Sequence, residues 1–151
     1  MAQKKTNVMR VLEQHKIPYQ AYKWEDAKKL ALEAPVYKTL VTQGKSNEHY
    51  VFVVPVTQEL DLKKAAKAVN EKNIHMIKEK ELLPLTGYVH GGCSPIGMKK
   101  DFVTVLDQSA NEHATILISA GKVGFSVEIN PADLTQLVHW QIADIATTAD
   151  E

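Results

Sequence analysis

The sequence predicts an α+β fold: a single domain with a mixed, barrel-like β-sheet and flanking helices. Three observations carry this. β-rich segments outnumber helical ones. They run in groups instead of alternating with helices. The length, 151 residues, and the hydrophobic fraction, 44%, suit one ordinary core and leave no room for two. A domain covering 1–151 is expected, with its core over about 8–145 and no internal repeat or linker.

The elements follow in order. Thr6 or Asn7 can cap a first helix that places Val8, Val11, Leu12 and His15 on one face, with Pro18 as its stop. Tyr19 to Trp24 reads as a strand with Tyr22 and Trp24 on the same side. A short helical stretch, Ala27 to Leu32, stops before Pro35. Val36 to Thr42 and His49 to Val54 form a hairpin around the turn residues Gln43 to Glu48. In its first strand Thr39 and Val41 share one face, and Lys38, Leu40 and Thr42 the other.

Asp61 caps a helix with Leu62, Ala65, Ala66 and Val69 inside and Lys63, Lys64 and Lys67 outside. Ile74 to Ile77 is a short strand, and Glu79 to Leu83 a helical turn closed by Pro84. Phe102 to Leu106 is a strand. Thr115 to Ser119 is a strand apolar enough to be central and covered on both faces. Gly121 to Gly124 is a turn, and Phe125 to Ile129 alternates as a strand. Asn130-Pro131-Ala132-Asp133 starts a helix with Leu134, Leu137 and Val138 inward. His139 to Ile145 is a last strand, and Ala146 to Glu151 a loose tail.

Composition excludes several classes. Lysine plus arginine balance aspartate plus glutamate, 18 against 18, so bulk charge does not grip nucleic acid. No apolar run approaches a membrane span, and the basic start lacks the apolar run of a secretion signal. A single cysteine rules out an internal disulfide and fits a reducing compartment; a cytoplasmic location away from membranes is expected. The six histidines are scattered, and only His90 and Cys93 stand at a ligand-like spacing. No metal site and no cofactor are therefore expected. Gly44-Lys45-Ser46 matches only the end of a phosphate-loop pattern and lies in a hairpin.

The stretch that stands out is His90-Gly91-Gly92-Cys93-Ser94-Pro95-Ile96-Gly97. It contains three of the seven glycines and the only cysteine. Glycine exposes main chain to a ligand and Pro95 stiffens the bend, so the loop either cradles a small polar group or is only a tight connection. Lys38, beside apolar neighbours on a strand, either holds a carbonyl or phosphate oxygen or lays its stem over the sheet. Ser119 either reaches a ligand or bonds its own turn. Trp24 stacks on a base or belongs to the core, and the three helix lysines contact phosphate or are simply solvated. Cys93 with His90 can be read as a nucleophile and base, but no third group orients the histidine; an unreactive small residue is the plainer reading.

Four segments in order resemble the YbaK/EbsC family, free-standing relatives of the editing domain of bacterial prolyl-tRNA synthetases: 36–41, 58–68, 86–97 and 118–124. The resemblance implies a mixed-sheet α+β domain that hydrolyses mischarged aminoacyl-tRNA, most typically Cys-tRNA(Pro), beside prolyl-tRNA synthetase. It implies Lys38, Gly91 and Ser119 as catalytic. It places Trp24 at an aromatic substrate position, with Tyr22, Gly92, Ser94, Gly97 and Ser126 as further substrate contacts. A monomer is expected. Two departures bear on specificity: Ser126 stands where the cysteine-specific branch tends to carry an acid, and the segment between Trp24 and Tyr37 is short. In that branch the substrate's own thiol attacks its ester, so no enzyme nucleophile is required. Two competing readings are a non-catalytic aminoacyl- or nucleotide-binding or regulatory module on the same scaffold, and a hydrolase dependent on Cys93.

Overall fold

The structure, a computed structural model, describes residues 5–23, 34–138 and 140–148. Three α-helices and ten strands are present among them. Helix α1 (Asn7–Gln14) is capped by Thr6, whose hydroxyl accepts from the Met9 amide at 3.2 Å. It buries Val8, Met9 and Leu12, whereas His15 is exposed. The chain leaves it through Lys16 at φ 58°, ahead of Pro18. Strand β1 is Gln20–Lys23. Trp24 and the helical stretch expected at Ala27 to Leu32 lie outside the described residues.

The expected hairpin is β2 (Tyr37–Gly44) with β3 (His49–Pro55). Five strands form one sheet, in the order β5 (Ile74–Met76), β2, β3, β6 (Val103–Asp107), β9 (Trp140–Ala143). β2 is antiparallel to both its neighbours, while β3–β6 and β6–β9 are parallel, so the sheet is mixed. A second sheet has the order β1, β8 (Phe125–Ile129), β7 (Ile116–Ser119). The strand expected to be central is thus at the end of its own ladder. It is nevertheless buried throughout Ile116–Ile118, because a parallel bridge between Leu117 and Val36 ties it to the start of β2. That bridge joins the second sheet to the start of β2 within one mixed α+β domain, the class the sequence predicts.

Two apolar layers hold the five-stranded sheet. Val41, Val51, Val53 and Leu106 pack with α1 and with Ile116, Ile118, Val127 and Ile129 of the second sheet. Tyr50, Phe52, Val54 and Val105 pack against Ala65 and Ala66 of α2 (Leu62–Ala68), together with Ile145 and Ala146. Four successive β3 residues, Val51 to Val54, are fully buried, which accounts for an apolar run without alternation. Each such side chain contributes about 1.5–3 kcal/mol of transfer free energy.

Three expectations are corrected. Leu62, placed inside, is 41% exposed, since only Ala65 and Ala66 are small enough to bring α2 close to the sheet. Pro84 does not close its helix: α3 runs Glu79–Thr86 with Pro84 inside it and Gly87 as its left-handed cap at φ 89°. The missing Pro84 amide would have bonded the carbonyl of Lys80, an exposed residue whose carbonyl water can satisfy. The tail is not loose at its start: Ala146–Thr147 (β10) pairs antiparallel with Glu59–Leu60 (β4).

Candidate active site

A cleft of about 490 Å³ opens along the edge of β2 that faces away from β3. β7 meets that edge only at Val36, and β5 only from Thr42 onward. Among the described residues Lys38 to Leu40 have no ladder partner there. The gap between the two sheets is closed at its far side by the glycine loop. Lys38, Gly91, Ser119 and Ser126 all line this space, with Tyr37, Thr39, Leu40, Leu82, His90, Cys93, Val123 and Phe125 among their neighbours. The residues the sequence separates by more than 80 positions are thereby brought to one wall-and-bend arrangement.

The loop is shaped from within. The Tyr88 hydroxyl donates to the Ile96 carbonyl at 2.5 Å and so fastens the two ends of the bend. Gly91 has φ 86°, in the left-handed region where a β-carbon is strained. Gly92 lies against the opposite turn, where an added β-carbon would stand 3.0 Å from the Val123 amide nitrogen. The Ser94 hydroxyl is fully buried and accepts from the Ile96 amide at 3.3 Å. Gly97, at φ 74°, sits under Tyr88 and Asn7. Gly92, Ser94 and Gly97 therefore build the bend and do not line the cleft. Tyr22 does not line it either: its hydroxyl donates to Glu128 at 3.2 Å, and burial followed by that carboxylate pushes the phenol up from its ordinary pKa.

Ser126 is 7% exposed and lies across the ladder from Ser119 on one side and Tyr22 on the other. The Ser119 hydroxyl accepts from the Gly121 amide at 3.1 Å, so it bonds its own turn, yet its proton is free to donate into the cleft. Lys38 makes no ion pair among the described residues. The strand period puts it on the face of Leu40 and Val54, at the rim, with its charge unneutralised. A second cation stands near the opening: Lys122 Nζ is 5.1 Å from the centre of the Phe125 ring, a cleft wall. A developing or resident negative charge in this space would meet a cation, Lys38, with Lys122 near the opening. No carboxylate among the described residues lines it.

Cys93 reaches the cleft wall but is 7% exposed, and burial pushes its thiol up to about 12, with a smaller opposing effect of the Thr86 hydroxyl. At neutral pH it carries essentially no thiolate. Cys93→Ser should leave catalysis of the same order as wild type, and iodoacetamide should label the folded protein far more slowly than the unfolded chain. Rapid labelling with loss of activity would restore the cysteine-dependent reading. The same shift sets a sign for stability. Between the thiol's ordinary pKa near 9 and about 12, unfolding releases a proton, so this group makes the fold less stable as pH rises through that window.

Thr39, Leu82, Val123 and Phe125 are lining residues not singled out in the sequence; only Thr39 carries a signal there, as the neighbour of Lys38 on a strand edge. No cluster of three or more metal-ligating side chains occurs among the described residues. No helix among them is long and apolar enough to cross a membrane.

Comparison with known proteins shows the family and the fold. The family model described as the aminoacyl-tRNA editing domain matches residues 19–137. An Enterococcus faecalis protein, EbsC, whose name proposes a Cys-tRNA(Pro)/Cys-tRNA(Cys) deacylase, is 45% identical, the match covering 96% of this chain and 95% of that protein. Two solved structures share the fold. One is described as a proposed trans-editing enzyme for prolyl tRNA synthetase, with TM-score 0.79 and 24% identity over 93% of this chain and 96% of that one. The other is the hypothetical protein APE2540, with TM-score 0.82 and 19% identity over 93% and 99%. The chain belongs to the aminoacyl-tRNA editing domain family.

Proposed function

We propose that this protein is a trans-editing deacylase that clears mischarged aminoacyl-tRNA, with Cys-tRNA(Pro) as its foremost substrate. The observation that carries the reading is a cleft lined both by Lys38, which makes no ion pair among the described residues, and by Gly91 of the glycine bend, while the one thiol present is buried and protonated. Such a site lacks an activated nucleophile and suits an ester that is already reactive. The cysteinyl thiol of the substrate attacks its own ester carbonyl, and the bond to the terminal ribose oxygen breaks. The thiol proton ends on that oxygen, and a cyclic thiolactone leaves. The protein's work is to position the chain and to stabilise the oxyanion of the tetrahedral intermediate. Lys38 supplies the charge, and the Gly91 amide and the Ser119 hydroxyl supply hydrogen bonds beside it. The neutral net charge implies a weak grip on tRNA, with prolyl-tRNA synthetase adding the rest by effective concentration. The cytoplasm is where such a substrate arises.

The test is a panel of cysteinyl, alanyl, seryl and prolyl esters on tRNA(Pro), incubated with the protein alone. Release is expected to be fastest from the cysteinyl ester. Equal rates on the alanyl ester would replace thiol attack by water attack. Saturable binding with no turnover on any ester would return the chain to the reading of a binding module.

A further inference from the structure

One buried side-chain polar atom among the described residues lacks a partner. Thr39 Oγ1 is shielded from solvent and makes no hydrogen bond, the only buried side-chain oxygen or nitrogen so placed among the described residues. A hydroxyl in that condition costs stability, because its desolvation is not repaid by a hydrogen bond. Thr39 lines the cleft directly beside Lys38. Its side chain points from β2 toward the second sheet, on the face of Val41 and Val53, whereas Lys38 points to the opposite face. Lysine and threonine thus approach the cleft from its two sides.

The main chain of Thr39 adds to this. The carbonyls of Pro35 and Val41 leave β2 on the edge away from β3, accepting from Leu117 at 2.8 Å and from Ile77 at 3.4 Å. The carbonyl of Val36 leaves on the β3 side, accepting from Val56 at 2.9 Å. Alternation therefore sends the amide and carbonyl of Thr39 out of the open edge, into the stretch that no described strand pairs. Beside a carbonyl and an amide that no described strand pairs, the same residue carries a buried hydroxyl without a partner. Rotation about χ1 exchanges the hydroxyl with a methyl of similar size and turns the oxygen toward the cleft.

We propose that Thr39 binds the α-amino group of the aminoacyl ester, its hydroxyl and main-chain carbonyl accepting from that group. This rests on the deacylase reading above. An aminoacyl ester has one cationic group, and the only charged side chains along the cleft among the described residues, Lys38 with Lys122 at its opening, are cations. The amino group must then be held by neutral acceptors. Thr39 is the acceptor without any other occupation, since Ser119 already receives the Gly121 amide. Held there, on the face away from Lys38, the amino group fixes which way the ester carbonyl turns toward the lysine and the glycine loop.

The experiment crosses a protein change with a substrate change. Wild type, Thr39→Val and Thr39→Ser are assayed on Cys-tRNA(Pro) and on the same ester with its amino group acetylated. Wild type is expected to lose roughly 10- to 100-fold in kcat/KM on acetylation, the size of a hydrogen bond to a charged group. Thr39→Val should show a similar loss on the free amine and little further loss on acetylation. It should melt at or above wild type, because it removes an unsatisfied hydroxyl. Thr39→Ser should recover the discrimination. Thr39→Val with wild-type rates on the free amine, or with equal losses on both esters, overturns the assignment, as does a Thr39→Ser variant that fails to discriminate. Absence of turnover by wild type on every ester strikes the deacylase reading itself and is seen separately in the first row of the assay.

Discussion

Replacing Lys38 by alanine is expected to lower kcat/KM on Cys-tRNA(Pro) by roughly 10²–10³-fold, the loss seen when one preorganised oxyanion donor is removed. The fall should appear in kcat more than in KM, because the charge that the lysine meets develops during the reaction. The fold should hardly register the change. Lys38 has no ion pair and no side-chain hydrogen bond among the described residues, and the strand period puts it on the face of Leu40 and Val54. Lys38→Met keeps that stem and removes only the charge, so it separates packing from electrostatics. The two variants should be equally inactive and should melt within a few degrees of wild type. Single-turnover deacylation with thermal melts decides the matter. Activity retained in the methionine variant would transfer the oxyanion role to the loop amides at Gly91, and the lysine would then be only a cover for the sheet.

How much of this was legible in the sequence depends on the range of the interaction. The hairpin was, because Val, Thr and Tyr on either side of Lys45-Ser46-Asn47 state both strand and turn locally. The face of Lys38 was, because a period of two needs no knowledge of the partner strand. The bend at Gly91 was, because a left-handed φ is a property of one residue. The cleft between them was not a local property: it exists because β7 and β5 meet β2 at its two ends and leave its middle open. Thr39 shows the limit most plainly. Its residue type is ordinary for a strand, and only the positions of every neighbouring donor and acceptor reveal that its hydroxyl has none. The pairing of Ala146–Thr147 with Glu59–Leu60 was hidden for the same reason, since short strands far apart in the chain have no pattern of their own. Pro84 misled in the opposite direction, a strong local signal overruled by a position where its lost bond falls on exposed backbone.

Asp107→Ala is expected to destabilise the protein by about 3–5 kcal/mol, the largest single loss of stability predicted for this chain. Asp107 ends β6 and is 3% exposed. One of its carboxylate oxygens accepts from the amides of Ile145 and Ala146, both at 3.1 Å; the other accepts from the Ser109 amide at 3.2 Å. Removing it strands three amide donors, each previously held by a charged acceptor. For a chain of this length the melting temperature should fall by roughly 10 °C. Asn should be milder, since its carbonyl can keep one set of amides while its own amino group opposes the other. The consequence reaches the cleft by a short path. Ser109 is the second residue of the 3-10 helix that Asp107 caps, and its hydroxyl shares a 2.6 Å hydrogen bond with the hydroxyl of Tyr37, the residue before Lys38. Amide exchange should therefore accelerate both at Ile145–Thr147 and across the first residues of β2. Acceleration at the first segment alone, with kcat unchanged below the new melting temperature, would mean that Asp107 anchors the chain's end without bracing the lysine's strand.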